Sequence, residues 1–378
     1  SCLSNASNSI HNESFISSTF YCSFVHKDVK AFRKFAGNTM SKEKMSLLDV
    51  VVNNGNPFVK DDMIVGVVNH KKAQVSGTFT VDGITKSIDE TTKVKPGSKK
   101  IDIELRNKKV SLKKVVHEIT GEITSKDEDG ILSVDNGVIN FKASNAYADS
   151  IFSLQFNGHE WLDSNYPKPA QRAWWADFVG GITQRVSGIQ DIAALKEDRT
   201  NELVSLTDNF GNEWQGIKIS LSFKLDPILK GIVVESYSLT LPGVPVLHTF
   251  TNVINNSGKL LLNKEIFKFY VLNLDDNKKS ATVLDGDITY KCGDVSVDIE
   301  LKKLALFEST REHKLAFYNK KNTILVETQT DYNICFSETN VTIPDGESKL
   351  IDGDFIVFTK EVVTKESLGD LENIKFEV

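Results

Sequence analysis

The sequence predicts an all-β protein in which a smaller β-sandwich precedes a much larger antiparallel one. Three observations predict it. Apolar and polar residues alternate with a period of two from residue 46 onward. Gly-, Asn- and Asp-rich turns recur at short intervals over the last roughly 250 residues. No βαβα alternation, G-x-G-x-x-G or P-loop interrupts the pattern, which excludes the common nucleotide-binding folds.

Residues 1–14 are rich in Ser and Asn and read as a linker or frayed terminus. Phe15–Val25 is strand-like, and Val29, Phe32, Phe35 and Ala36 share a helical face. Residues 1–45 thus form a linker with a short strand–helix segment, expected to be the remnant of an upstream domain or a cap. From Ser46, Leu48, Val50 and Val52 alternate, Ile64–Val68 is apolar, and Val75–Val81 runs into the Asp82-Gly83 turn. After Pro96-Gly97 comes Ile101–Leu105, a half-buried strand. About seven such strands fit residues 46–121, which suits an Ig-like β-sandwich. Lys93–Leu105, "KVKPGSKKIDIEL", resembles the closing strands of bacterial and archaeal Ig-like spacer modules. Residues 122–378 form the large sandwich, with hairpin markers at Asp135-Asn136-Gly137, Asn157-Gly158, Asp208–Asn212, Asn255–Gly258 and Asp285-Gly286.

A chain of 378 residues exceeds one ordinary core and fits two or three domains. Its net charge of -6 argues against a nucleic-acid partner, and no run of about 18 apolar residues spans a membrane. The basic pairs Lys108-Lys109 and Lys113-Lys114 sit among acids and read as a solvated strand face. Cys2, Cys22, Cys292 and Cys335 form no CxxC pair, so no zinc or redox site and no cofactor is expected. Cys335 reads as a buried hydrophobe, while one disulfide among the other three leaves the compartment open. The start at Ser1-Cys2-Leu3 reads as a processed or excised piece of a longer polypeptide.

The stretch Gly130–Gly188, "GILSVDNGVINFKASNAYADSIFSLQFNGHEWLDSNYPKPAQRAWWADFVGGITQRVSG", resembles the opening of galactose-mutarotase-like supersandwich domains. Leu206–Phe223, "LTDNFGNEWQGIKISLSF", and Pro245–Asn263, "PVLHTFTNVINNSGKLLLN", are similar to the strands that follow in that superfamily. The resemblance covers about two-thirds of the chain. It implies a sugar-facing concave sheet of the kind used by epimerases, polysaccharide lyases and the β-domains of glycosidases.

Trp161, Tyr166, Trp174, Trp175 and Phe178 fall within 18 residues, and sugar rings stack their C–H faces on such side chains. His159, Asp177 and Arg185 supply polar partners nearby, and Asp331 a further carboxylate. The same tryptophans also suit a structural cap on one end of the sandwich. In "LVETQTDYN", Leu325–Asn333, the resemblance implies that Glu327 is the base taking the anomeric proton. His248 in "HTFTN" matches the partner histidine by its spacing to Asn252, while alignment on Asn255-Asn256 places that histidine elsewhere. The expectation is therefore a carbohydrate-binding or carbohydrate-processing module of a larger glycan-active protein. The reading from a different class is a structural or protein-interaction β-sandwich protein without catalysis.

Overall fold

The structure, a computed structural model, describes residues 48–69, 75–105, 108–170, 179–189, 191–275, 281–285, 288–293, 297–328 and 333–378. The Phe15–Ala36 segment lies outside them. Strand makes up most of the described residues, and the one α-helix among them is short, α1 (Asp191–Ala194).

The first eight strands are β1 (Leu48–Val52), β2 (Phe58–Val59), β3 (Met63–Asn69), β4 (Gly77–Val81), β5 (Ile84–Ser87), β6 (Thr91–Val94), β7 (Gly97–Leu105) and β8 (Lys108–Glu118). They make a three-stranded sheet, β1-β3-β6, and a five-stranded sheet, β2-β8-β7-β4-β5. Val50, Val52, Met63 and Val65 meet Phe79, Val81, Ile101, Ile103 and Val116 in one core. Those positions are the inward half of each alternating run, because successive strand side chains point to opposite faces. Asp82 and Gly83 both have positive φ (49° and 77°), the backbone that a two-residue hairpin with native twist requires.

The remaining strands are β9 (Thr124–Glu128), β10 (Ile131–Asp135), β11 (Ile139–Ser144), β12 (Ser150–Phe156), β13 (His159–Glu160), β14 (Ile182–Val186), β15 (Asp198–Thr207), β16 (Glu213–Ser222) and β17 (Ile232–Thr240). They continue as β18 (Val246–Asn255), β19 (Leu261–Leu272), β20 (Thr282–Asp285), β21 (Ile288–Lys291), β22 (Val297–Glu308), β23 (Lys314–Thr328), β24 (Asn333–Ile343) and β25 (Glu347–Thr359). Together they form one nearly closed antiparallel sheet folded on itself. Its middle is built from pairings distant in sequence, β18 with β25, β25 with the first half of β23 and β24 with β19, beside the sequential pairing of β24 with the second half of β23. Strand β23 changes partner at a bulge, where Tyr318 faces Leu304 but Thr323 already faces Lys302. Cys292 and Cys335 are both free and buried. Asn255, the first residue of an Asn-x-Ser sequence, is fully buried, and its amide donates to the Lys259 and Ile343 carbonyls.

The small sandwich is joined to the large sheet by more than its linker. Phe58 is 1% exposed and meets Trp214 edge-on at 5.1 Å, inside a core that also holds Leu239, Val246, Phe355 and Phe376. Lys114 pairs with Asp370 at 2.7 Å, and the Val115 amide donates to the Ser367 carbonyl. His117 stacks on Phe58 at 5.7 Å, and its Nε2 has no hydrogen-bond partner among the described residues.

That burial pushes His117 from near 6.5 down to about 4. Between those two values the unfolded chain binds a proton that the folded one refuses, so stability falls as pH drops through that window. The loss should approach about 3 kcal/mol, complete below the folded value. Denaturant melts from pH 7 to 4 check it. The acid limb should flatten in His117→Gln, and an unchanged limb would assign it to other groups.

Candidate functional site

A cavity beside chemistry-bearing residues lies along the seam of β18 and β25. The two strands slip register between Thr249 and Thr251, leaving Phe250 opposite Asp352 and Gly353. Such a bulge turns side chains out of the regular alternation. Gly353 is required there. A Cβ would lie 2.1 Å from His248 Cε1 and 2.4 Å from the Thr249 carbonyl oxygen.

With no side chain beneath it, the His248 ring packs flat over the seam. It stacks on Phe355 at 4.0 Å and 12°, with Phe250, Phe376 and Trp214 at 5.6, 5.7 and 5.9 Å. A cavity of about 520 Å³ opens against this aromatic wall. Phe250 and Phe355 are buried in its floor (2% and 1% exposed) and Phe376 shows an edge (8%), while Lys320, Asp352, Glu372 and Asn373 give it polar groups. Lys320 Nζ stands 3.6 Å from Asp352 Oδ1. The C-terminal lining residues Glu372, Asn373, Ile374, Lys375 and Phe376 come from or follow the turn Gly369–Asn373, which folds back over the sheet.

His248 is 4% exposed, and its Nδ1 is 2.9 Å from the Asp354 carbonyl oxygen. A carbonyl only accepts, so Nδ1 carries the hydrogen and Nε2 is left as an acceptor. Burial, reinforced by Lys268 and Lys320 against the pull of that hydrogen bond, brings His248 down to about 3. The ring is neutral across the physiological range. It can accept a hydrogen bond, but it does not carry the extra proton of an imidazolium acid.

Directly behind the seam lies a buried polar cluster centred on Asp354, which is fully buried. Tyr270 donates to Asp354 Oδ2 at 2.6 Å and is 2.6 Å from Thr249 Oγ1. Asn319 donates to the other carboxylate oxygen. Lys268, 3% exposed, donates to the Asp352 carbonyl at 2.6 Å and lies 3.6 Å from Asp354 Oδ2. Burial first, then the Asp354 charge, holds the Tyr270 phenol well above its ordinary value, so it remains a donor.

The other sequence-predicted residues are dispersed. Glu327 is half-buried on β23, opposite Asp298 and Ile334, and does not line the His248 cavity. His248 is level with Phe355 and Tyr318, whereas Glu327 lies beyond the β23 bulge. His159 is half-buried on β13, opposite Phe156. Trp161 is 1% exposed; its Nε1 donates to the Phe156 carbonyl, and Phe358 and the Arg311 guanidinium flank the ring at 5.0 and 4.6 Å. A ring so enclosed offers no face to a sugar. Arg185 is also buried, 3.0 Å from Asp149. Trp174, Trp175, Asp177 and Asp331 lie outside the described residues.

Sequence reasoning passed over Phe250, Phe355, Phe376, Lys320 and Asp352. A signal existed in "DGDF", residues 352 to 355 with Gly353 between two acids, a combination that marks a bulge rather than a regular strand.

No family model matches the chain, and no curated protein does. Solved structures similar to it include the Slr1438 protein from Synechocystis sp. PCC 6803, at 10% identity and TM-score 0.43 over 64% of this chain and 97% of that one. They also include the GH36 α-galactosidase AgaB from Geobacillus stearothermophilus, at 10% identity and TM-score 0.43, covering 64% of this chain and 41% of that one. The galactosidase domain of the α-galactosidase-sucrose kinase AgaSK aligns at 9% identity and TM-score 0.43 over 66% and 43%. Likeness at this level assigns neither a family nor an activity. The chain spans less than half the length of these two α-galactosidase chains.

Proposed function

We propose that this chain is a carbohydrate-binding or carbohydrate-processing module of a larger glycan-active protein, with the His248 cavity as its sugar site. The observation that carries the reading is the convergence of polar groups on the edge of Phe376, the least buried aromatic of the lining, in a cavity of about 520 Å³. That volume falls within the roughly 300–1,000 Å³ usual for small-ligand sites. A pyranose places its C–H groups against an apolar edge such as that of Phe376, while its hydroxyls need both donors and acceptors. Here Lys320 donates, Asp352 accepts, and His248 Nε2 accepts. The same features favour binding over turnover: His248 is neutral, and Glu327 is not at the cavity.

The finer assignment is a galactose-mutarotase-like supersandwich over residues 122–378 behind an Ig-like module over 46–121. Its support is the sequence patterns "HTFTN" and "LVETQTDYN" and the strand density of the first segment. Within that assignment Glu327 is the base candidate for any epimerase chemistry, and the tryptophans at 174 and 175 are an additional stacking surface.

Trp214, 5.9 Å from His248, supplies an intrinsic fluorescence reporter for the cavity. Titration with a panel of mono- and oligosaccharides should shift its emission in a saturable way. Phe376→Leu and Asp352→Asn should each weaken the sugar that binds by about tenfold, the scale of one aromatic contact or one charged hydrogen bond. Silence toward every saccharide, or affinities unchanged in both variants, sinks the proposal and favours the non-catalytic interaction protein.

A further inference from the structure

We propose a second surface, independent of the sugar reading: the groove between residues 223–231 and 256–264 docks the protein on an anionic lipid surface. It is lined by the apolar residues Ile228, Leu260 and Leu262, with Lys230, Lys259 and Lys264 beside them. Ile228 is 74% exposed, Leu260 55% and Leu262 65%, and Leu225 in the same first loop is 67% exposed. Four large aliphatic side chains held in water on two neighbouring loops and the start of β19 need a partner to be explained.

These loops are not slack. The Glu197 carboxylate accepts from the backbone amides of Lys224, Leu225 and Asp226 at 2.6 to 2.9 Å. Asp226 Oδ1 in turn accepts from Ile228 and Leu229, both at 2.8 Å. The second loop is tied to the first through the Asn256 amide and the Gly231 carbonyl at 2.9 Å, and Asp345 accepts from the Gly258 amide. The aliphatic tips are therefore presented by a preorganised frame, and little ordering entropy opposes their insertion.

Charge decides the occupant. Lys224 is paired with Asp198, but among the described residues Lys230, Lys259 and Lys264 make no ion pair. Three unpaired cations stand around an apolar strip in a chain whose net charge is -6. The groove carries no Arg, Trp or Tyr, and its one aromatic, Phe223, is buried. Protein interfaces enrich Arg and aromatics and deplete Lys. Lysines around protruding Leu and Ile instead match the headgroup and acyl layers of an anionic bilayer. Asn256 follows the end of β18 and His248 lies near its start, so the groove and the sugar cavity are separated by about 25 Å along the strand.

Sedimentation with phosphatidylcholine vesicles, plain or containing roughly one-third phosphatidylserine, tests the proposal. Binding should require phosphatidylserine and should collapse as salt rises from about 0.1 M to about 1 M, which shrinks the screening length from about 10 Å to about 3 Å. Each of Lys230→Gln, Lys259→Gln and Lys264→Gln should weaken binding about fivefold. Ile228→Ser with Leu260→Ser should abolish it while leaving the melting curve and any sugar binding intact, because both side chains are exposed. No phosphatidylserine-dependent binding overturns the proposal, as does binding indifferent to these variants. Retention by soluble polyglutamate but not by vesicles also overturns it, assigning the groove to an acidic protein.

Discussion

Asp354→Asn should lower the unfolding free energy by about 3–5 kcal/mol, the cost of leaving a buried charge without its counterion. Asp354 is fully buried and Lys268 is 3% exposed, so neither reaches water when the other is neutralised. The asparagine keeps the size of the side chain and one acceptor, which isolates the charge from any packing defect. The Tyr270 hydroxyl at 2.6 Å loses its charged acceptor in the same step. Adding Lys268→Met to Asp354→Asn should recover most of the loss, because an apolar chain of similar length then fills the space of the cation. Urea melts of the two single variants and the double supply the cycle. A loss under about 1 kcal/mol in the single Asp354→Asn variant would mean that Lys268 finds another counterion or water.

Phe58→Ala should cost a similar amount, about 3–5 kcal/mol, for a different reason. Strand β2 is only two residues long and pairs in parallel with β8 at His117 and Glu118. Its contribution comes from the Phe58 ring, 1% exposed between Trp214 and His117. Truncation leaves a void in the core shared by the small sandwich and the large sheet, and rigid strands on both sides prevent it from closing. Phe58→Leu should cost less than half as much, since it refills most of the volume. Equilibrium unfolding followed by Trp214 fluorescence reads both. A Phe58→Ala loss below about 1 kcal/mol would show that the two units are stabilised separately.

Local chemistry was what the sequence made legible. Runs such as Leu48–Val52 and Ile101–Leu105 declare their buried face every second residue, and Asp82-Gly83 and Asn157-Gly158 both take the left-handed conformations of a tight hairpin. The all-β class followed from these signals alone. The site was much less legible because it is assembled from afar. His248 meets Phe355 and Phe376 only through the β18–β25 pairing and the returning C-terminal segment. Nothing near residue 248 announces those neighbours. Trp161 illustrates the converse: an aromatic in a sugar-like motif looks available until Arg311 and Phe358, both far along the chain, enclose it. Spacing between His248 and Glu327 likewise said nothing of the β23 bulge that lies between their levels.

The β18–β25 seam also sets a timetable for synthesis. Strand β18 is buried at nearly every position, yet one of its two edges is satisfied only by Glu347–Thr359. About a hundred residues separate the end of one strand from the start of the other, which a ribosome takes about 5–20 s to add. Throughout that interval a strand destined to be almost fully buried carries an open row of amides and carbonyls, the feature that templates aggregation. This closure of the sheet therefore waits until residues 347–359 have been made, and a truncation before residue 347 leaves that edge permanently open.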